Sequence, residues 1–386
     1  MSDIELAKYL ESCLNAGLKT DAESSSLTNS FKIRVNQDKG YFDFIPAFPG
    51  PFKLTKDTSD AIQTIASGAL FPYKTLLGLT AANLIKTGID NIHLARGLRF
   101  FFVNGSYERI NIDNVDSNLL VRQNGKLYIR LQENTLIDPK CPCIGISGRS
   151  GSGKSICENL LLSGLNQYIN AQDWDWADDW MSSEDETVKN LLNGKIISQV
   201  DPKLDINLFE WCRNHDINYF YPNEDISNSE FLNTINEKES EFIKILHYRQ
   251  KQLIERPCLK FAPLVMSIDE VQFATSVVSR QSLGTFQSLT DQIILTARSA
   301  SGLLMLTSAA FPIPGSISSS SRDGMLYKLI LSNGFINKTD TRFLIKDFEP
   351  STILTMPDEC NFGNGLIEHN GIISTLKVAH VKNLRG

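Results

Sequence analysis

Three features are missing from this sequence: an excess of positive charge, zinc-ligand spacings and long apolar runs. The 386 residues carry 38 Lys and Arg against 44 Asp and Glu, a formal net charge of -6, which disfavours a protein that coats DNA with its whole surface. The seven cysteines lack zinc-ligand spacing, which favours buried thiols in a reducing compartment. No stretch reaches about 18 uninterrupted apolar residues, and the first residues do not resemble a secretory signal. We therefore expect a cytoplasmic protein without a membrane span of its own, recruited to a membrane only by a partner.

A change of pattern near residues 132–142 divides the sequence into two predicted domains. Residues 1–135 form a predicted α+β domain of unassigned role. Its predicted strands are 31–35, 41–45, 99–104 and 127–131, and its predicted helices are 4–14 and 60–85. Residues 136–386 alternate apolar runs with longer helical patterns, which is typical of an α/β domain with a mainly parallel sheet. Its predicted strands are 143–147, 196–200, 217–221, 264–268, 303–307, 327–331 and 366–368, and its predicted helices are 155–168, 204–214, 229–252 and 281–300.

The strongest motif is a phosphate loop that follows a predicted strand and begins a predicted helix. Its residues are Gly148, Arg149, Ser150, Gly151, Ser152, Gly153, Lys154 and Ser155. In such a loop, backbone N–H groups surround the phosphates at the positive end of a helix dipole. We expect these residues and Ile156 to bind ATP, with Lys154 at the β- and γ-phosphates and the Ser155 hydroxyl on Mg²⁺. A glycine-rich turn without a ligand is the alternative interpretation.

A second motif is the apolar run 264–268, which ends in two carboxylates, Asp269 and Glu270. Alone, such a pair is more often a solvated strand end. After a phosphate loop it predicts a catalytic pair, with Asp269 as a ligand of the Mg²⁺ water shell and Glu270 as the base that polarises the attacking water. Glu270 favours hydrolysis of ATP over phosphoryl transfer to a metabolite.

Four further segments follow in order, and with them the sequence resembles the FtsK/SpoIIIE/HerA family of P-loop DNA translocases. They are Asp201-Pro202-Lys203, the stretch 296–307, Asp340-Thr341-Arg342 and Gly365-Leu366-Ile367. The resemblance covers residues from about 140 to 386, and is especially close to coupling-protein-like members from conjugative elements of Gram-positive bacteria. It implies a RecA-like P-loop NTPase fold for residues 136–386 and a homo-hexameric ring that moves double-stranded DNA.

The resemblance also implies that a neighbouring subunit supplies an arginine to the site. Arg298 is the first candidate for this catalytic role, followed by Arg342 and Arg280; each has a plain alternative as a surface or salt-bridging residue. One departure concerns the family's Ala-Thr-Gln-Arg-Pro segment, because the glutamine that could sense the γ-phosphate is missing here. Thr307 and Ser308 are its nearest substitutes.

Two segments leave alternatives open. The acidic segment 171–187 contains Trp174, Trp176 and Trp180, which either dock a basic partner or pack on the motor. The serine-rich segment 315–322, predicted to be a flexible loop, either contacts DNA phosphates through its hydroxyls and Arg322 or is an ordinary surface loop.

The sequence therefore predicts an ATP-driven translocase of double-stranded DNA, with ATP and Mg²⁺ as cofactors. We expect a coupling or transfer ATPase of a mobile element, with a relaxase or a secretion-channel protein as partner. One alternative is a viral or phage-satellite genome-packaging ATPase. Another is an ATPase that assembles a secretion channel without gripping DNA.

Overall fold

The computed structural model divides into two compact units, the first extending to Glu108 and the second beginning at Arg109, with Gly371–Ser374 grouped with the first. The described residues are 1–18, 31–47, 54–77, 83–91, 94–105, 108–222, 226–276, 278–312, 315–333, 336, 341–345 and 362–383.

The first unit combines two helices with an antiparallel sheet. Its helices are α1 (Asp3–Gly17) and α2 (Lys56–Leu70), and its strands are β1 (Phe31–Asn36), β2 (Tyr41–Pro46), β3 (Lys74–Leu77), β4 (Asn83–Lys86) and β5 (Arg96–Asn104). Strand β2 pairs with β1 and β5, and β5 also pairs with β3 and β4. Helix α1 begins at a capping box between Ser2 and Glu5. Its Leu6, Leu10 and Leu14 recur at helical spacing and join one buried cluster with residues of the sheet.

The second unit contains the remaining elements. Its helices are α3 (Lys154–Asn170), α4 (Glu186–Lys189), α5 (Ile206–Asn214), α6 (Asn228–Glu255), α7 (Val271–Ala274), α8 (Arg280–Ala297) and α9 (Ser319–Gly324). Its first strands are β6 (Asn111–Asn114), β7 (Leu120–Gln123), β8 (Lys126–Gln132), β9 (Thr135–Ile137), β10 (Cys143–Gly148), β11 (Ile197–Val200) and β12 (Asn218–Phe220). Its later strands are β13 (Leu264–Ile268), β14 (Gly302–Ser308), β15 (Tyr327–Ser332), β16 (Asn364–His369) and β18 (His380–Asn383). Strand β17 (Ile372–Lys377) is divided, because Gly371–Ser374 are grouped with the first unit and the residues from Thr375 onward with the second.

An eight-stranded sheet organises the second unit, in the order β12-β11-β13-β14-β10-β15-β16-β17. Neighbouring strands from β12 to β15 are parallel, and β15 and β16 are antiparallel. The fold is therefore mixed α/β around a mainly parallel sheet, and all seven strands predicted for residues 136–386 belong to this sheet.

The carboxyl end of β10 lies where the chain reverses its direction of travel across the sheet. After β10 the chain passes β14 and β13 to reach β11, whereas after β14 it passes β10 on the other side to reach β15. Ligands of open α/β sheets bind at the carboxyl ends of strands beside such a switch point. The phosphate loop begins at this end of β10.

Packing places residues 109–135 with the second unit, whereas the sequence placed the domain boundary at 135/136. The Leu119 N–H donates to Gln167 Oε1 on α3 at 3.0 Å, and the Ile129 side chain lies against Gly164 of the same helix. Leu119 and Ile129 are buried in the cluster that also contains much of α3. Apolar contact with α3 therefore explains why the boundary between the two compact units lies at 108/109 in the structure.

The helix predicted over residues 60–85 ends at Leu70. Pro72 follows two residues later and has no N–H to donate to a continuing helix. Strands β3 and β4 occupy the remainder of the described part of that range.

No helix among the described residues is both long enough and apolar enough to cross a membrane.

Candidate phosphate-binding site

The loop between β10 and α3 depends on glycines for its backbone conformation. Gly151 and Gly153 have φ angles of 78° and 94°, in the left-handed region that glycine adopts without steric cost. The Cys157 N–H donates to the Gly153 carbonyl at 3.0 Å, which starts α3 directly after the loop. The strand–loop–helix context predicted for the motif is therefore present.

Residues of β15 and of the segment just before β16 lie against the loop and leave no room for side chains at two glycines. A Cβ atom on Gly148 would lie 2.6 Å from the Leu331 carbonyl oxygen, and one on Gly153 would lie 2.9 Å from the Gly363 nitrogen. The Gly363 N–H donates to the Ser152 carbonyl at 2.7 Å.

Arg109 holds the segment that contacts the loop. Its Nη2 donates to the Phe362 carbonyl at 2.9 Å and to Asn364 Oδ1 at 2.8 Å, and its Nη1 donates to the Val378 carbonyl. The guanidinium thus fixes the backbone on both sides of Gly363.

The loop has polar atoms that fit a phosphate group. Ser152 is fully buried, and its Oγ has no hydrogen-bond partner among the described residues. No side chain caps the first turn of the 17-residue helix α3, so its N–H groups are not satisfied in that way. A buried hydroxyl without a partner and an uncapped helix N-terminus are features expected of a site that takes an anion.

Lys154 and Glu270 are close together at this edge of the sheet. Lys154 Nζ lies 3.4 Å from Glu270 Oε1, and the two side chains are 7% and 14% exposed. Glu270 has a φ of 43°, unusual for a residue with a side chain, and its N–H donates to Asp269 Oδ1 at 2.8 Å. The two motifs, far apart in sequence, thus contribute to one site.

Asp269 is buried beside Thr307, which extends from the intervening strand β14. The Thr307 hydroxyl donates to Asp269 Oδ1, and burial raises the pKa of Asp269 to about 6, although this hydrogen bond acts in the opposite direction. The Gln272 N–H donates to Ser308 Oγ at 3.2 Å. Both residues expected to replace the missing glutamine therefore contact the segment 269–272.

The residues expected to hold Mg²⁺ offer the hard oxygen ligands that this ion prefers, namely the Asp269 carboxylate and the Ser155 hydroxyl. The described residues contain no group of three or more His, Cys, Asp or Glu side chains that could hold a metal ion. A Mg²⁺ at this edge would therefore need phosphate oxygens and water as further ligands.

A second lysine reaches Glu270 from the loop after β11. Lys203 Nζ lies 3.1 Å from Glu270 Oε1 and 5.7 Å from the centre of the Phe273 ring. The sequence identified Lys203 only as part of a family resemblance and gave it no role. Nothing in the local pattern could show that this loop lies beside Glu270, because the contact depends on β11 and β13 being neighbours in the sheet.

The buried carboxylate of Asp201 builds the turn that carries Lys203. Asp201 Oδ1 accepts from the N–H groups of Lys203 at 2.7 Å and Leu204 at 3.1 Å. Its Oδ2 accepts from the Asp205 N–H at 2.7 Å and the Tyr219 hydroxyl at 2.6 Å. Four hydrogen bonds to one side chain fix the backbone of residues 203–205.

A further carboxyl group, Glu158, is buried beneath the site. It lies on α3 and accepts from Ser267 Oγ at 2.6 Å and Gln199 Nε2 at 2.9 Å. Burial, and after it the nearby Asp269 carboxylate, raises the pKa of Glu158 well above its usual value. Glu158 could not be identified from the sequence, because helical spacing alone does not distinguish a buried glutamate from a solvated one.

The three candidate arginines are all exposed. Arg298 follows α8 and precedes β14, so it lies at the amino edge of the sheet, opposite the phosphate loop. Arg280 begins α8, and Arg342 lies over the Phe343 ring, 4.3 Å from its centre. Asp340, which the sequence grouped with Arg342, lies outside the described residues.

Two of the three tryptophans of the acidic segment 171–187 pack into the second unit. Trp180 is fully buried, and Trp174 donates from Nε1 to the Ile169 carbonyl at 2.7 Å; Trp176 is 39% exposed. Asp179 and Arg249 form a buried ion pair at 2.7 Å. For Trp174 and Trp180 the packing interpretation is therefore confirmed.

The serine-rich segment 315–322 differs from the flexible loop predicted for it. Ser318 caps α9 and donates to Asp291 Oδ1 at 2.6 Å. Arg322 is 13% exposed and pairs with Asp323 at 2.8 Å. A serine that begins a short helix accounts for the order found here.

Comparisons with known proteins gave structural similarities only. No protein-family profile and no curated protein matches the sequence. Among solved structures, the conjugation coupling protein TcpA of pCW3, in a monomer form with ATPγS, is 11% identical, with a TM-score of 0.45 over 97% of this chain and 95% of that one.

Two further ATPase structures are also similar. EssC (ATPases 2 and 3) from Geobacillus thermodenitrificans is 13% identical, with a TM-score of 0.42 over 72% of this chain and 48% of that one. The cytoplasmic domain of the type VII secretion ATPase EccC from Thermomonospora curvata is 14% identical, with a TM-score of 0.44 over 70% of this chain and 28% of that one. At these scores and identities the similarities do not assign an activity.

Proposed function

We propose that this chain is a P-loop ATPase that binds ATP with Mg²⁺ on residues 148–156 and hydrolyses it with Glu270. The observation that carries the proposal is the 3.4 Å approach of Lys154 Nζ to Glu270 Oε1 at the carboxyl edge of a parallel sheet. A cation that can bind phosphates and a carboxylate that can accept a proton are two groups that serve ATP hydrolysis in a protein.

Each residue of the site has a distinct part in this proposal. The N–H groups of Gly151, Gly153 and Lys154 orient the phosphate oxygens, and the Lys154 ammonium moves from Glu270 to them. Ser155 and Asp269 would hold Mg²⁺, which when bound neutralises phosphate charge. Glu270 accepts the proton of the attacking water.

We propose further that the second unit is a RecA-like motor that translocates double-stranded DNA as a homo-hexamer, within a conjugation or transfer system. This proposal is supported by the ordered segments shared with the FtsK/SpoIIIE/HerA pattern. The position of Arg298 also suits it, because β14 has seven residues and separates Arg298 from its own site by roughly 20 Å. Arg298 is therefore proposed to act on the nucleotide of a neighbouring subunit.

A second candidate function is an ATPase of a secretion channel that does not grip DNA. Two observations support this candidate: the net charge of -6, and the small exposed fraction of Arg322, which is paired with Asp323. A genome-packaging ATPase remains the other alternative, and docking to a procapsid instead of a relaxase would distinguish it.

The test is steady-state ATP hydrolysis by the intact chain and by Lys154→Ala, each with and without saturating duplex DNA. We expect wild-type hydrolysis that DNA accelerates, and no turnover in Lys154→Ala. If the wild-type chain does not hydrolyse ATP, the ATPase proposal is wrong. If it hydrolyses ATP at a rate that DNA leaves unchanged and a protein partner raises, only the translocase proposal is wrong.

A further inference from the structure

The ammonium groups of two lysines form ion pairs with the same carboxylate oxygen of Glu270. Lys154 Nζ lies 3.4 Å from Glu270 Oε1 and Lys203 Nζ lies 3.1 Å from the same atom. Within the proposed function, Lys154 has to leave this carboxylate in order to bind phosphates. Glu270 is only 14% exposed, so a departing Lys154 would leave a largely desolvated carboxylate with one fewer cation.

The backbone at Lys203 is fixed in a way that keeps this lysine beside Glu270 when Lys154 moves to the phosphates. Its backbone N–H is held by Asp201 Oδ1 at 2.7 Å, and Asp201 is itself fully buried and held by the Tyr219 hydroxyl. Phe273, on the helix that follows Glu270, lies beside the ammonium. The Lys203 side chain is 49% exposed and the Glu270 side chain 14% exposed, so Lys203 approaches the carboxylate from its solvent side.

The charged groups around Glu270 are distributed asymmetrically. Lys154 approaches it from α3 and Lys203 from the loop after β11, while Asp269 is its neighbour in the chain. The Asp201 carboxylate accepts hydrogen bonds from backbone N–H groups of the turn that it begins. Lys203 is therefore the cation that can compensate Glu270 once Lys154 has turned to the phosphates.

We propose that Lys203 is a positioning residue for Glu270, which retains the carboxylate at the reaction site and thereby releases Lys154 to bind the nucleotide. This inference rests on the proposed ATPase function and adds a residue to it. It has two consequences: loss of Lys203 weakens nucleotide binding, and this effect depends on the charge of Glu270.

The experiment is a double-mutant cycle on the affinity for a fluorescent, non-hydrolysable ATP analogue with Mg²⁺, using the full chain. We expect Lys203→Met to weaken binding by about fivefold, as for a partly exposed ion pair. Lys203→Arg retains the charge and should bind within about twofold of wild type. In the Glu270→Gln background, Lys203→Met should have no further effect, because the carboxylate that it compensates is gone.

The kinetic split gives a second readout. Lys203→Met should also lower kcat, because without Lys203 the Glu270 carboxylate is no longer held in position to accept the proton of the attacking water. Lys203→Arg should retain most of the wild-type kcat. Lys195→Met is the matched control, because it removes a lysine whose partner Asp216 lies outside the site; it should change neither quantity.

Three results would overturn the inference: unchanged affinity in Lys203→Met, an equal loss of affinity in the Glu270→Gln background, or a kcat above that of wild type. Each leaves the proposed function standing. A wild-type chain that does not bind the analogue would contradict the proposed function itself.

Discussion

The Gly363 N–H donates a hydrogen bond to the Ser152 carbonyl oxygen at 2.7 Å. In a trans peptide the carbonyl and the following N–H point in opposite directions, so this bond directs the Gly153 N–H away from Gly363. A residue more than 200 positions later in the chain therefore orients one of the N–H groups proposed to bind phosphate.

The first prediction is that Gly363→Ala weakens nucleotide binding. Gly363 has a φ of 71°, and an added Cβ would lie 3.0 Å from Arg109 Nη1. Both the backbone strain and this contact disturb the segment that holds the loop, at a cost of about 1 kcal/mol or more. Isothermal titration with a non-hydrolysable ATP analogue should show the loss of affinity. In Gly284→Ala an added Cβ would have no neighbour within 4 Å, so this variant should bind as wild type does; equal affinity in both variants would contradict the prediction.

The second prediction concerns the pH dependence of stability at Glu158. Burial raises the pKa of Glu158 well above 4.5. A carboxyl group with a raised pKa binds more protons in the folded state, so its stabilising contribution is present below about pH 4.5 and is lost as the pH rises through the folded pKa.

Glu158→Gln should therefore raise the free energy of unfolding by about 1 kcal/mol or more at pH 8, and by less near pH 5. Gln199 already contacts Glu158 through its Nε2, and its Oε1, which has no hydrogen-bond partner in the described part of the chain, is a neighbouring acceptor for the new amide. Urea unfolding at several pH values measures the effect, and Glu237→Gln is the control because Glu237 is exposed. A gain that does not change with pH would show that Glu158 is ionised in the folded protein.

The third prediction is that Mg²⁺ binding weakens at acidic pH through Asp269. Burial raises the pKa of Asp269 to about 6, and a protonated carboxyl group is not a metal ligand. Below pH 6 the apparent Mg²⁺ affinity of the nucleotide-bound protein should fall by up to about tenfold for each pH unit. Mg²⁺ titrations with the fluorescent analogue test this, and Asp269→Asn serves as the control for protonation of the nucleotide itself. The same pH dependence in that variant would exclude Asp269 as the cause.

The fourth prediction is that the acidic segment 171–187 depends on Arg249. Arg249→Met leaves the buried Asp179 carboxylate without its cation and should cost about 3–5 kcal/mol of unfolding free energy. Arg256 and Asp178 form an exposed pair of the same segment, so Arg256→Ala should cost less than about 1 kcal/mol. Urea unfolding compares the two variants. Similar small losses in both would mean that the segment is not an integral part of the second unit.

Much of the second unit could be predicted from the sequence because its strands are buried on both faces. Strands β10, β11, β13, β14 and β15 are then short, largely apolar runs, and the turn residues between them mark the ends. The phosphate loop could also be predicted, because its glycines are required by the local backbone conformation and not by the remainder of the fold.

Other features could not be predicted because they depend on which strands become neighbours. The contact of Lys203 with Glu270 requires β11 beside β13, and the hydrogen bond from Gly363 requires a late strand beside the loop. The exposure of Arg298 at the far edge of the sheet likewise follows from the direction of β14. None of these relationships has a signature in local sequence spacing.

Residues 148–156 are proposed to bind ATP while Asp269 and Glu270 act on it. Mg-ATP binding and hydrolysis measured in wild type, Lys154→Ala and Glu270→Gln test this proposal. We expect that wild type binds and hydrolyses ATP, that Lys154→Ala fails to bind it, and that Glu270→Gln binds it but hydrolyses it at least about 10²-fold more slowly. A wild-type chain that does not retain Mg-ATP, or a Glu270→Gln variant that hydrolyses ATP at the wild-type rate, would contradict it.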